Sequence, residues 1–147
     1  MTTAGHVAAP AELAGRWQRL AIPVVTIGAL ASGAAALHLR DPHALGSWGY
    51  CPSRVLFGIS CPGCGGLRAV NDLTNGDLLA AASSNLLFVA TLPLIAWVLG
   101  RWLLGAWSGQ PYRPAWAASR AFQVVAVSAL VVFTVLRNTP AGSWLAP

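Results

Sequence analysis

Three long apolar stretches, separated by two polar connections, dominate the pattern of hydrophobic and polar positions along the chain. They cover residues 20–39, 78–100 and 120–136. A helix of about 20 apolar residues, rising about 1.5 Å per residue, crosses the hydrocarbon core of a bilayer. The pattern therefore predicts an all-α integral membrane protein with three transmembrane helices.

The remaining segments are too short for a second domain, so residues 20–147 are interpreted as a single membrane domain. The predicted connecting segments are a cytoplasmic tail at 1–19, a cysteine-containing loop at 40–77, a second loop at 101–119 and a short C-terminal tail after residue 136.

The first apolar stretch has an alternative interpretation. Two arginines precede it and it contains Ala29-Leu30-Ala31, which resembles the cleavage site of a secretory signal. A transmembrane helix is favoured, because small residues recur every four positions on one face, as at a helix-packing seam in lipid. These residues are Gly28, Ser32 and Ala36.

The cysteine-containing loop includes a predicted short amphipathic helix at 65–73, where apolar residues recur at helical spacing. Asn75 and Gly76 end this helix. Asp77 follows as the predicted N-cap of the second transmembrane helix, and Pro93 within that helix predicts a kink.

Composition strengthens the membrane interpretation. The 147 residues are 56% hydrophobic and 9% charged, and their mean hydropathy is +0.61; soluble domains have about 25% charged residues. The net charge of +5 comes from arginines spread along the chain, whereas nucleic-acid binding requires a basic stripe. We expect the lipid bilayer as partner, with another membrane protein as a further candidate, and no nucleic acid.

Arginine placement predicts the orientation. One end of the predicted bundle holds Arg16, Arg19, Arg101, Arg113 and Arg120, and the other holds Arg40, Arg54, Arg68 and Arg137. The positive-inside rule then places the N-terminus in the cytoplasm and the cysteine-containing loop on the extracytoplasmic side, where disulfides persist.

The candidate chemistry lies with three cysteines, Cys51, Cys61 and Cys64. The spacing of the last two suits a disulfide pair, a redox dithiol or half of a zinc site. These alternatives stay open. A fourth zinc ligand would have to come from a small set of residues in the same region. That set is His38, His43, Asp72 and Asp77.

Four polar residues are predicted to support this loop, and no catalytic residue is assigned. We expect Arg68, Asp72 and Asp77 to form a local ion-pair network, and Asn85 to cap or fasten the loop. The glycines around the cysteines, together with Arg68, also suit an anion site. A tight turn packed against the second transmembrane helix is the favoured interpretation.

Several spaced motifs resemble the bacterial membrane family called domain of unknown function 2752. They are Cys51-Pro52, Cys61 to Ala69, Asn75-Gly76-Asp77, Asn85-Leu86-Leu87 and Arg137 to Pro140. Leu67 stands where the family usually has Thr, and Leu86 where it usually has Pro. The resemblance implies a multi-pass fold in the bacterial inner membrane, without an established reaction.

We therefore expect an accessory or scaffold membrane protein whose loop, held by a disulfide or a metal such as zinc, docks a partner. An enzyme is not favoured, because no acid, base and nucleophile converge beyond the thiols. The alternative function is a membrane thiol-redox or metal-binding protein that uses Cys51, Cys61 and Cys64.

Overall fold

The computed structural model describes residues 10–44, 46–110 and 112–145, with side chains from residue 15 onward. These residues form helices and no strand, which confirms the all-α prediction. The α-helices are α1 (Pro10–Leu39), α2 (Pro52–Phe57), α3 (Gly66–Thr74), α4 (Leu78–Ser108) and α5 (Arg120–Arg137), and two 3-10 helices cover Ala115–Ala118 and Pro140–Leu145.

Three helices are long and apolar enough to cross a membrane, as predicted. They are Gly15–Leu39, Leu78–Ser108 and Arg120–Arg137, with 25, 31 and 18 residues. At about 1.5 Å per residue, even the shortest extends about 27 Å, close to the thickness of the hydrocarbon core. The three cysteines lie between the first and second of these helices.

Two of the predicted boundaries are wrong. Helix α1 begins at Pro10, so the second half of the predicted tail is helical, while residues 1–9 lie outside the described part of the chain. Helix α4 continues past residue 100 to Ser108, so most of the first half of the predicted second loop is helical. Gly109 ends it with a φ of 74°, a left-handed conformation that favours glycine at a helix C-cap.

Helices α1 and α4 pack against each other in opposite directions. The start of α1 meets the end of α4: the Arg19 Nε atom donates to the Ala106 carbonyl at 3.4 Å, and the Arg16 guanidinium lies 5.0 Å from the Trp107 ring centroid. The end of α1 lies beside α3. The connection that contains the cysteines therefore lies at the opposite end of this helix pair.

Short helix α3 is fastened to both neighbours by buried polar side chains. The Asn71 amide donates to the Leu37 carbonyl at 2.7 Å, at the end of α1 where helical carbonyls lack internal partners. The Asp72 carboxylate accepts from the Ser84 hydroxyl of α4 at 2.8 Å. These two bonds position the segment that follows the cysteines relative to the membrane helices.

Helix α4 is broken at Asn85, which has φ −160° and ψ 90°, and no non-helical residue accompanies Pro93 within it. Pro93 thus keeps helical backbone angles, and the interruption of α4 lies eight residues before it. The Asn85 Oδ1 atom accepts from the Phe88 amide at 3.0 Å, the bond that an N-cap side chain makes three residues ahead. Asn85 thus caps the longer second segment of α4 and turns its amide group away from the helix.

Candidate metal centre

The three cysteine sulfur atoms form one group, which we call the thiol cluster (Cys51, Cys61 and Cys64). The Cys61 sulfur lies 3.4 Å from that of Cys51 and 3.1 Å from that of Cys64. All three sulfurs lie within 4.8 Å of one another. All three cysteines are free thiols, and Cys64 is buried.

Local sequence explains why Cys51 reaches the other two cysteines. Cys51 is the N-cap of α2, and Pro52 opens that helix at a position where its missing N–H costs nothing. The helix lasts only six residues, because Gly58 adopts a left-handed φ of 68° and reverses the chain. The chain then returns toward Cys51 ten residues later.

The Cys61 to Cys64 segment is a hydrogen-bonded turn that leads into α3. The Cys64 amide donates to the Cys61 carbonyl at 3.1 Å, and Gly65 has a φ of 80° as the N-cap of α3. We call residues 60–66 the cysteine turn. Its carbonyls, left without regular secondary structure, need partners from elsewhere in the fold.

Arg137, a buried arginine at the end of α5, donates hydrogen bonds to two of these carbonyls. The Nη1 atom of Arg137 donates to the carbonyls of Cys61 at 2.8 Å and Cys64 at 3.0 Å, and its Nη2 atom donates to the Leu145 carbonyl at 2.9 Å. The residue is 2% exposed, and its guanidinium carbon lies 4.9 Å from the Phe133 ring centroid. This cation therefore lies directly behind the thiol cluster.

Two asparagines complete the support of the cysteine turn. Asn85 Nδ2 donates to the carbonyls of Pro62 at 2.9 Å and Cys64 at 3.1 Å. Asn138 pairs with both backbone groups of Ser60, because its Oδ1 atom accepts from the amide and its Nδ2 atom donates to the carbonyl, each at 2.9 Å. Helices α4 and α5 thus hold the turn from two sides.

Arg137 and Asn138 were missed as site residues by sequence reasoning, which used Arg137 for the orientation and both residues for the family resemblance. The sequence signal was weak, because an arginine at the end of an apolar helix is ordinary in membrane proteins. Nothing in the sequence indicated that the partner would be the cysteine turn.

The thiols differ in acidity. The Ser53 hydroxyl, 3.0 Å from the Cys51 sulfur, and hydrogen bonds from Cys64 and Cys61 lower the pKa of Cys51 to about 6. Burial, followed by hydrogen bonding with the other two thiols, raises the pKa of Cys64 to about 12. Without a metal, Cys51 therefore loses its proton more readily than Cys64 does.

The thiol cluster lines a cavity of about 530 Å³. Its other walls are the glycine-rich part of the cysteine turn, the aromatic residues Trp48 and Tyr50, and the basic residues Arg54 and Arg68. Among the described residues, no carboxylate lines this cavity. The sulfur atoms thus line a cavity whose walls also contain two positively charged residues, Arg54 and Arg68.

None of the predicted fourth ligands joins the thiol cluster in the described part of the chain. His38 Nδ1 lies 3.2 Å from the Thr74 hydroxyl, and Asp77 accepts from the Ala80 amide at 2.8 Å as the N-cap of α4. His43 lies between Asp41 and Asp72, at 2.8 Å and 3.3 Å. Each candidate is used locally, so none of the four lies with the three sulfurs in the described part of the chain.

The ion-pair network predicted for Arg68, Asp72 and Asp77 does not form among the described residues. Asp72 turns toward Ser84 and His43, while Arg68 Nε donates to the Pro42 carbonyl at 3.4 Å. The physical reason is that the two carboxylates are occupied by hydroxyl, imidazole and backbone donors that α4 and the loop bring closer.

The arrangement is suited to a soft metal ion. A tetrahedral ion with metal–sulfur bonds of about 2.3 Å holds its sulfur ligands about 3.8 Å apart. This separation lies between the shortest distance in the thiol cluster, 3.1 Å, and the 4.8 Å limit that encloses all three sulfurs. Three thiols with these separations can bind one ion together after small movements.

Comparison with known proteins gives one family match. No curated protein and no solved structure matches the chain. Residues 51–99, which include the thiol cluster, α3 and the first part of α4, match the family described as "Protein of unknown function (DUF2752)", and this confirms the predicted resemblance.

Proposed function

We propose that this protein binds a thiophilic metal ion at the membrane surface through Cys51, Cys61 and Cys64, with zinc as the first candidate. The observation that carries the proposal is the convergence of all three cysteine sulfurs within 4.8 Å. Thiolates are preferred ligands of zinc and of other soft ions.

The charge around the thiol cluster supports this function. Three thiolates and a divalent ion sum to one negative charge. Arg137 is 2% exposed and, within the described residues, hydrogen-bonds only neutral carbonyls, while its Nε atom has no partner. A buried cation is costly unless an anion lies nearby, and a metal–thiolate centre supplies that anion.

A metal site also accounts for the third thiol better than the redox alternative does. A redox dithiol needs only Cys61 and Cys64, and would leave Cys51 as a spare thiol 3.4 Å from the Cys61 sulfur. A metal site uses all three.

Cobalt binding to the reduced protein in detergent tests this function, because Co²⁺ takes zinc sites and its thiolate complexes absorb visibly. We expect one Co²⁺ per chain, sulfur-to-metal charge-transfer bands and displacement by Zn²⁺.

Each single replacement, C51S, C61S or C64S, is expected to weaken binding at least about 100-fold, because it removes a metal–thiolate bond. The matched control is S83A, a serine of α4 that bonds only within its own helix, to the Ala80 carbonyl. Absence of charge-transfer bands in the reduced wild-type protein would refute the function.

Docking of a partner is a second candidate, because α2 exposes three apolar side chains beside Cys51. Val55, Leu56 and Phe57 are 67%, 72% and 72% exposed. Such a patch suits a membrane partner whose apolar surface meets the scaffold loop. Crosslinking from a photoreactive residue at position 56 that yields only lipid adducts would remove this candidate.

We further propose that the end of the molecule that holds the thiol cluster faces the extracytoplasmic side of a bacterial inner membrane. The arginine distribution supports this orientation. A membrane-impermeant maleimide applied to intact spheroplasts should label the apo protein at Cys51. Labelling only after permeabilisation would reverse the orientation.

A further inference from the structure

The thiol cluster provides three ligands, whereas a tetrahedral soft metal ion requires four. Within the described residues, no histidine or carboxylate joins the three sulfurs. The sulfurs line an open cavity of about 530 Å³, so the fourth position can be filled from that cavity. Small-molecule sites in proteins are typically about 300–1,000 Å³, and this cavity is within that range.

The walls of the cavity indicate what kind of molecule would enter. Arg54 and Arg68 are its charged residues, and no carboxylate lines it in the described part of the chain. Of the two, Arg68 has only one weak side-chain hydrogen bond, to the Pro42 carbonyl at 3.4 Å, and no ion pair among the described residues. Guanidinium groups bind carboxylates through paired N–H donors. The lining therefore favours an anion with carboxylate groups.

A metal ion held by the three thiols sets a second requirement for the molecule that enters the cavity. An ion that already has three thiolates binds a further thiolate more strongly than a water molecule or a carboxylate, if the ion is soft. Trp48 and Tyr50 supply apolar surface to the cavity lining. A molecule with one thiol and one or more carboxylates satisfies both walls at once.

This inference rests on the metal-binding function proposed above. We propose that the cavity binds a small thiol that carries carboxylate groups, with its sulfur as the fourth metal ligand and a carboxylate paired with Arg68. On binding, the incoming thiol loses its proton to solvent, a metal–sulfur bond forms, and a metal-bound water molecule leaves. No electron is transferred. The protein thereby holds the metal as a ternary complex with a small thiol.

The test uses full-length protein in detergent, loaded with Co²⁺ and kept reduced with a phosphine rather than a thiol. Mercaptosuccinate, mercaptoethanol and succinate are titrated separately. We expect mercaptosuccinate to raise the charge-transfer intensity by about one third, as four thiolates replace three. It should act at a concentration about tenfold lower than mercaptoethanol, because a half-buried charged hydrogen bond is worth about 1.4 kcal/mol. Succinate should leave the bands unchanged.

A matched pair of variants locates the carboxylate. R68Q should abolish the advantage of mercaptosuccinate over mercaptoethanol, while retaining the Co²⁺ spectrum of the wild type without added thiol, which shows that the site is folded. R113Q removes an exposed arginine in the connection after α4, which does not line the cavity, and should change nothing. An R113Q variant as impaired as R68Q would refute the role of Arg68.

The outcomes separate this inference from the underlying function. Equal potency of the two thiols, or bands that no thiol changes, would overturn the ternary complex while leaving metal binding intact. Failure of Co²⁺ to bind the reduced protein would overturn the metal-binding function itself.

Discussion

The two ends of the helix bundle are held together by different interactions. At the end that holds the cysteines, Arg137, Asn85 and Asn138 make directed hydrogen bonds to backbone groups of the cysteine turn. At the other end, besides the 3.4 Å bond from Arg19 to the Ala106 carbonyl, the contacts are aromatic and cation–π. Trp97 meets Tyr112 edge to face with centroids 5.9 Å apart, and Arg101 lies 5.5 Å from the Tyr112 ring centroid.

The difference shows which end is built to hold a fixed geometry. Aromatic and cation–π contacts contribute about 0.5–1.5 kcal/mol each and tolerate small shifts. Buried polar groups are costly when their hydrogen bonds are imperfect, so they specify one arrangement closely. The buried guanidinium of Arg137 carries such a cost, and it lies behind the three thiols. Costly buried polar groups of this kind are typical of functional sites.

Replacing the arginine at each end should give the largest contrast. R137M removes three hydrogen bonds from a charged donor, to the carbonyls of Cys61, Cys64 and Leu145, at about 1.5–3 kcal/mol each, and removes the cation behind the thiols. We expect loss of the folded cysteine turn and of Co²⁺ binding. R101M should cost about 1 kcal/mol or less and leave Co²⁺ binding unchanged. Thermal unfolding in detergent and cobalt titration measure both. Equal effects would remove the distinction between the ends.

Asn85 allows the capping and fastening roles to be separated. N85A loses the bonds to Pro62, Cys64 and Phe88, and we expect destabilisation by about 2–4 kcal/mol. N85D keeps the acceptor that caps the helix but loses the donor to the cysteine turn. It should retain helix content by circular dichroism while weakening Co²⁺ binding. An N85D variant that binds metal normally would show that Asn85 serves only as a cap.

Gly142 tests how closely the C-terminal 3-10 helix must approach α5. A Cβ atom at this position would clash with the Leu136 carbonyl oxygen. G142A must therefore displace the C-terminal segment, whose Leu145 carbonyl accepts a hydrogen bond from Arg137. We expect a loss of about 1–3 kcal/mol, as in other overpacked sites. The control is G33A in α1, where nothing lies within 4 Å. It should be neutral or slightly stabilising, and a similar loss in both variants would contradict this explanation.

Alkylation of the apo protein should rank the thiols. The thiolate is the reactive form, and the pKa of Cys51 is lowered to about 6 while that of Cys64 is raised to about 12. Cys51 labelling by iodoacetamide should therefore rise with pH to half its maximum near pH 6, and Cys64 should be labelled last. S53A removes the largest cause of the low Cys51 pKa and should move the midpoint to higher pH. Peptide mass spectrometry reads both, and Cys64 labelled before Cys51 at pH 7 would contradict the ranking.

Much of the fold was predictable from sequence, because few backbone conformations satisfy their own hydrogen bonds in lipid. A long apolar segment has no water to satisfy its backbone, so it must be helical. Local signals also worked: Asp77 lies at the N-terminus of α4, and the amphipathic helix predicted at 65–73 forms at Gly66–Thr74. Errors arose where tertiary contacts compete with local preference. Asn85 breaks α4 because its amide is drawn to the cysteine turn, and Pro93 does not.

The sequence by itself determined the all-α class, the number and order of the helices long and apolar enough to cross a membrane, and the three cysteines as the candidate chemistry. Only the tertiary structure decided how the site is assembled. Arg137 and Asn138 contact residues 76 and 78 positions earlier in the chain, while the carboxylates and histidines close in sequence are used elsewhere. The physical reason is that hydrophobic periodicity encodes which residues face lipid, whereas the partner of a buried polar group depends on which helix ends meet.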